Sequence, residues 1–240
     1  HCPAHHGGGH HHMMCPERKF HECAAEFYTG LGFKGHPKDA ADFAQHLNSL
    51  IKTKGKAGFN MICQAGKKFG MCLGHSGKAC FSDFNLRWIL GMSRKDATIY
   101  RLISRELFYQ CAFASQTIVG KWDCLIKTGK SANATVTKCA KSFAQKVKKD
   151  PRNVCKYEQE LVDCSTAPYK KACGDKAGNV VCNEMRIALW TLNPPRVRCR
   201  LRCQKPQEEF DEQEDQLSPV FEALLPHLPF EGKLVDTEEF

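Results

Sequence analysis

The sequence lacks the short patterns that most readily identify a membrane protein, a thiolate metal site or a common hydrolase. No run of 18 apolar residues occurs in its 240 residues, so we expect no membrane span. No C-x-x-C pair occurs, which argues against the thiol-rich metal sites of cytosolic proteins. The motifs H-E-x-x-H and G-x-S-x-G are also absent, and we expect a protein that is not an enzyme.

Acidic residues are scarce in most of the chain and concentrated at its C-terminal end. Residues 206–240 carry eleven Asp or Glu and one Lys, a net charge of −10, whereas residues 1–205 carry +19. We predict a linker over 206–216, followed by a short helical turn that Pro226 and Pro229 end. This acidic tail, 206–240, is either a solvated linker with a short docking segment or a segment that shields the basic body.

Cysteine, in contrast, is abundant, with fifteen residues between Cys2 and Cys203. This number, without metal-site spacing, predicts disulfides formed in an oxidising compartment and therefore a secreted, extracellular protein. Because fifteen is odd, one cysteine has no partner within the chain, and Cys2 is the candidate. The structural disulfides are predicted to involve Cys15, Cys23, Cys63, Cys72, Cys80, Cys111, Cys124, Cys139, Cys155, Cys164, Cys173, Cys182, Cys199 and Cys203. The sequence does not determine their connectivity.

The N-terminal residues 1–14 are rich in His and Gly, and we predict a flexible arm. The chain begins at His1 without an initiator Met or an apolar signal region, so we expect a processed or incomplete product whose missing part could hold the partner of Cys2. No cofactor is required by any motif, but the arm offers imidazoles to Zn or Cu. The candidate ligands are His5, His6, His10, His11 and His12. A tract without function is the alternative.

Apolar spacing predicts a mainly α fold, a disulfide-stapled helical bundle with irregular loops over 15–205. The apolar positions predict helices over 37–51, 59–72, 96–118, 136–147, 154–164 and 181–192. We predict that Asp96 caps the third of these and that Asp150-Pro151 ends the fourth. A loop is predicted around Pro168 and Gly174.

The segment 59–203 resembles secreted Cys-rich helical domains of nematodes, a family of unknown function, and more loosely the chondroitin proteoglycan 4 domain. The likeness rests on FNMICQAGKKFGMC, on WDCL around Cys124 and on CKYEQELVDCSTAPYKKACG. It implies a secreted helical disulfide domain and carries no activity with it. A weaker likeness, to poly-cysteine and histidine-tailed secreted proteins of parasitic nematodes, rests on the cysteine count and GGGHHHMM, although the His tract here is N-terminal.

Arginine alternates with apolar residues between Arg196 and Cys203, the sharpest local pattern in the chain. In an extended segment this places the guanidinium groups on one face, while the opposite face can be pinned by two disulfides. With a nearby basic cluster the arginines could bind an acidic glycan. The predicted polyanion-binding residues are Arg196, Arg198, Arg200, Arg202, Lys146, Lys148, Lys149 and Arg152. A solvated basic face without a ligand is the alternative.

These patterns favour a secreted glycoprotein that works by binding, with a heparin-like glycosaminoglycan or a protein as partner. The oxidising compartment and the absence of zinc-finger and RNA-binding signatures argue against nucleic acid. Asn133-Ala134-Thr135 is an acceptor for an N-linked glycan, predicted to lie in a loop near Gly129. The alternatives are a metal-binding protein that uses the His-rich arm and a protein directed at a host or receptor. Oligomeric state is not determined by the sequence.

Overall fold

The computed structural model describes residues 15–193 and 198–203. The regular structure of these residues is helical and includes no strand, which confirms the mainly α prediction. The chain forms two compact units, which meet in sequence between Cys111 and Ala112. This boundary lies inside the region 15–205 that was predicted from its cysteines and helices, so the described residues of that region are divided between two units.

The first unit is built around a long helix, α3, on which α1 and α2 pack. Its helices are α1 (Glu17–Gly30), α2 (Ala40–Lys54), α3 (Lys56–Leu73), α4 (Gly77–Cys80), α5 (Asp83–Ile89) and α6 (Arg94–Ala112), with a 3₁₀ turn at Gly74–Ser76. Buried aromatic rings form its core, with centroids 4.9 Å apart both for Phe27 and Phe69 and for Phe43 and Tyr100. Aromatic burial of this kind supplies much of the apolar area that stabilises a small helical unit.

The start of α6 differs from its prediction by one turn. Ser93, rather than Asp96, caps this helix, because the Ser93 hydroxyl accepts the Asp96 backbone N–H at 3.0 Å and donates to its carboxylate at 2.9 Å. The single helix predicted over 96–118 is two helices in the structure. The first, α6, ends at Ala112, and a separate helix begins at Ser115. At Ala114 the ψ angle is near 0°, which interrupts the helical path.

The second unit is organised around α10, which packs on α8, α9 and α11. Its helices are α7 (Ser115–Gly120), α8 (Trp122–Ser131), α9 (Asn133–Lys149), α10 (Val154–Cys173) and α11 (Asp175–Leu192), with a 3₁₀ turn at Pro151–Asn153. Residues 198–203 have no regular secondary structure. The predicted stop of α9 at Asp150-Pro151 is confirmed.

The helix α10 runs for 20 residues straight through Pro168, so the prediction of a short helix followed by a loop at this proline was wrong. Pro168 has no N–H for the carbonyl of Cys164, one turn earlier. However, Cys164 is bridged to α9 and Cys173 to α8, so cross-links hold the helix on both sides of the proline. The chain turns only at Gly174, whose φ of +94° suits glycine.

All fourteen cysteines predicted to be structural are paired. The bridges are Cys15–Cys80, Cys23–Cys72 and Cys63–Cys111 in the first unit, and Cys124–Cys173, Cys139–Cys164, Cys155–Cys199 and Cys182–Cys203 in the second. One bridge recurs in the two units: Cys23–Cys72 and Cys124–Cys173 both have a sequence separation of 49, and each joins a helix to the end of the second helix after it.

Candidate functional site

The alternation of arginine and apolar residues is preserved in residues 198–203, which we call the arginine strip. Cys199 and Leu201 are buried, at 6% and 9% exposure, whereas Arg200 and Arg202 are exposed. Arg196 lies outside the described residues. In the described part, the two-sided arrangement predicted from the sequence is therefore present.

Two disulfides and a side-chain amide fix the strip to the second unit. Cys199 is bridged to Cys155 at the start of α10, and Cys203 is bridged to Cys182 in α11. Between them, the Arg202 backbone N–H donates to Gln159 Oε1 at 2.7 Å, and Gln159 Nε2 donates to the Arg202 carbonyl at 3.0 Å. The strip thus follows α10 from Cys155 to Gln159, and its backbone loses little entropy when a ligand binds.

Arg198 differs from the other two described arginines because it is packed against a ring. It is half-buried, and its guanidinium carbon lies 4.7 Å from the centre of the Trp190 ring, a cation–π arrangement. Its Nε is buried and has no hydrogen-bond partner among the described residues. Arg198 is therefore an anchor of the strip, and Arg200 and Arg202 are the arginines that face solvent.

The predicted basic cluster of Lys146, Lys148, Lys149 and Arg152 is only partly available to a ligand. Lys146 Nζ lies 2.8 Å from Glu160 Oε2 and 6.0 Å from the centre of the Tyr157 ring, so its charge is already compensated. Lys148 and Lys149, in the last turn of α9, are exposed and form no ion pair with a described residue. The same holds for Arg152 in the following 3₁₀ turn.

The structure brings the arginine strip and the basic cluster to the same end of α10. The Cα atoms of Cys155 and Cys199 are 5.3 Å apart. Arg152 precedes Cys155 by three residues, so the Cα atoms of Arg152 and Cys155 are at most about 11 Å apart. Lys148 and Lys149 end α9, and only Asp150 and the 3₁₀ turn lie between α9 and the start of α10. The described members of the predicted set therefore lie in one neighbourhood, although 46 positions separate Arg152 from Arg198 in sequence.

Sequence reasoning missed Lys156, which belongs to this neighbourhood. It is exposed and follows the bridged Cys155 directly. Its charge acts on Asp150 and Glu160, in each case as a minor addition to hydrogen bonds that lower the carboxyl pKa. A search for charge next to predicted disulfide cysteines would have found it. We call Lys148, Lys149, Arg152, Lys156, Arg200 and Arg202 the cationic patch.

Two carboxyl groups in this region have opposite environments. Asp150 accepts hydrogen bonds from Asn153 Nδ2 and from the Tyr157 hydroxyl, both at 2.7 Å, and these bonds lower its pKa. Asp150 therefore stays ionised and reduces the local positive charge. Glu158 is buried beneath the strip, at 1% exposure, and burial raises its pKa although Asn193 Nδ2 donates to it.

No family model, curated protein or solved structure matches this chain.

The likeness to nematode secreted domains consequently stays a prediction. In the described part of the chain, no helix combines the length and the apolar character that crossing a membrane requires.

The other predicted sites have separate outcomes. Asn133 is exposed but begins α9, and Gly129 lies inside α8, so the predicted loop around the sequon was wrong. A single residue, Ala132, separates the two helices, which leaves no room for a loop. Cys2 and the candidate metal ligands His5, His6, His10, His11 and His12 lie outside the described residues.

One cluster in the described residues has the composition of a metal site. Ligand atoms of Cys155, Glu158 and Cys199 lie within 4.8 Å of one another. The two sulfur atoms are bonded to each other, however, so neither is a thiolate that could bind a metal. This cluster therefore has a structural role, since it holds the strip on α10.

Proposed function

We propose that this protein is a secreted binding protein without catalytic activity, and that its cationic patch engages extracellular anionic glycans. The observation that carries the proposal is the pinned strip, which holds Arg200 and Arg202 outward beside four other exposed cations. None of the six forms an ion pair with a described acidic residue. A group of like charges without ion-pair partners is more costly to maintain than a mixed surface unless it meets an anion.

The chemistry of the patch favours sulfate and carboxylate groups. A guanidinium offers a planar pair of donors that matches these anions, and the strip holds two such groups at alternate positions. Successive outward residues of an extended segment lie about 7 Å apart, so one polymer chain can contact both. The seven disulfides support an oxidising environment, where anionic glycans are available.

The test compares two variants that lose the same number of charges. Arg200→Ser with Arg202→Ser removes the two exposed arginines, and Lys121→Ser with Lys127→Ser removes two exposed cations near the Cys124–Cys173 bridge. That bridge is at the opposite end of α10, about 27 Å along its axis from Cys155. Affinity for heparin and chondroitin sulfate is measured by calorimetry at several salt concentrations.

We expect the arginine variant to bind about tenfold more weakly, because each of the two exposed charge pairs contributes up to about 1 kcal/mol. The lysine variant should bind nearly as well as the unchanged protein. Binding should weaken steeply with salt in all cases. Equal losses in both variants would mean that net charge alone attracts the glycan, and undiminished binding by the arginine variant would exclude the strip.

A further inference from the structure

The acidic tail begins directly where the arginine strip ends. Cys203 is fixed by its bridge to Cys182, and the Arg202 backbone is held by Gln159. The acidic run 208–215 (EEFDEQED) starts five residues after Cys203, within about 18 Å of it. Arg200 precedes Cys203 by only three residues. The run is therefore tethered within reach of the cationic patch.

The charges of the two segments are complementary. Six of the eight residues in 208–215 are acidic, and the patch contains six exposed cations that form no ion pair with described residues. A run with this charge, joined to the patch by a few residues, is present near it at an effective concentration in the millimolar range. Complementary charge and a short connection together favour a contact between the two segments.

We propose that residues 208–215 bind the cationic patch of their own chain and compete with the external polyanion. The contact itself depends only on the complementary charges and on the few residues that join the run to the patch. Its regulatory consequence rests on the proposed glycan-binding function. Exposed ion pairs are individually weak and screened by salt, so the tail is displaced by a polymer that contacts more of the patch at once. Short anionic ligands are excluded more effectively than long ones.

The consequence for affinity is tested in the full chain with two matched variants. One replaces Glu208, Glu209, Asp211 and Glu212 by the corresponding amides, and the control does the same to Glu231, Asp236, Glu238 and Glu239. Both remove four negative charges from the tail, but only the first changes the run beside the strip. The probe is a short heparin oligosaccharide of fixed length, measured by calorimetry at low and high salt.

We expect the first variant to bind the oligosaccharide about 5–20-fold more tightly than the unchanged protein at low salt, with the difference lost at high salt. The control should change affinity less than about twofold. If the first variant and the unchanged protein bind equally well, masking by the tail is overturned while the glycan-binding function stands. If no form binds, the glycan-binding function is overturned, and the contact is judged by cross-linking alone.

Zero-length carbodiimide cross-linking tests the contact without any glycan, since it joins carboxylates to amines that touch. We expect links from residues 208–215 to Lys148, Lys149 and Lys156, and their loss when salt is raised. Lys121 and Lys127 are the internal controls. Links distributed evenly over patch and control lysines would overturn the proposal.

Discussion

At the scale of single residues, Glu158 is the most unusual group in the second unit. It is almost fully buried beneath the strip, its Oε1 accepts from Asn193, and its Oε2 has no hydrogen-bond partner among the described residues. Burial raises its pKa, so the folded protein holds this proton more tightly than the unfolded chain does. The stability that the protonated Glu158 contributes is fully present below the ordinary pKa of a carboxyl group. It is lost as the pH rises through the raised pKa of the folded state.

Replacing Glu158 by Gln should therefore stabilise the protein at about pH 7.5 and have little effect at about pH 3.5. The amide oxygen can still accept from Asn193, and the variant resembles the protonated carboxyl without its titration. Denaturant unfolding at the two pH values measures the difference. An equal shift at both values would show that the effect comes from packing, and destabilisation at the higher pH would contradict the raised pKa.

At the scale of elements, the pair α10 and α11 depends on a close approach at Gly178. A Cβ at this position would lie 2.8 Å from the Cβ of Lys170, closer than real Cβ contacts allow. The chain turns between the two helices at Gly174, so the helices cannot separate near Gly178 without disturbing the bridges at Cys173 and Cys182. A methyl group here must be accommodated by strain.

Gly178→Ala should destabilise the second unit by about 1–3 kcal/mol, in spite of the better helix propensity of alanine. Gly120→Ala is the matched control, because Gly120 is helical and its Cβ would meet nothing within 4 Å. The control should be neutral or slightly stabilising. Thermal unfolding of both variants gives the comparison, and a stabilised Gly178→Ala protein would contradict the close approach of the two helices at this position.

Sequence patterns predicted α2, α3, α9 and α11, each of which buries one apolar face, but they missed α1, which also buries an apolar face. They failed at Pro168 because the local cost of proline is outweighed by cross-links on either side, and these cannot be read from spacing. The same limit applies to the candidate site. The alternation of Arg200 and Arg202 was visible in the sequence, but the neighbours of the strip were not. Gln159 and Lys156 lie beside it because Cys155 pairs with Cys199, and Trp190 packs on Arg198.

At the scale of the whole molecule, stability is distributed over two separate sets of disulfides. The bridges Cys23–Cys72 and Cys124–Cys173 close loops of equal sequence separation in the first and second unit. In the chain-entropy account each limits the unfolded chain to the same extent, so each contributes about 4 kcal/mol. The two bridges therefore form a natural pair for comparison.

Replacing both cysteines of either bridge by Ser should lower the free energy of unfolding by similar amounts, about 4 kcal/mol, but in different units. Hydrogen exchange followed by mass spectrometry locates the loss. Faster exchange should be confined to residues 15–111 for the first variant and to 112–203 for the second. Equal acceleration over both ranges in either variant would show that the units unfold as one.

Every bridge among the described residues closes within one unit, so a single length of backbone, from Cys111 to Cys124, connects the two cross-linked sets. The six bridged cysteines of the first unit all precede residue 112, so they are synthesised before the eight bridged cysteines of the second unit. This order favours pairing within the first unit over pairing between the units, in a chain with so many thiols.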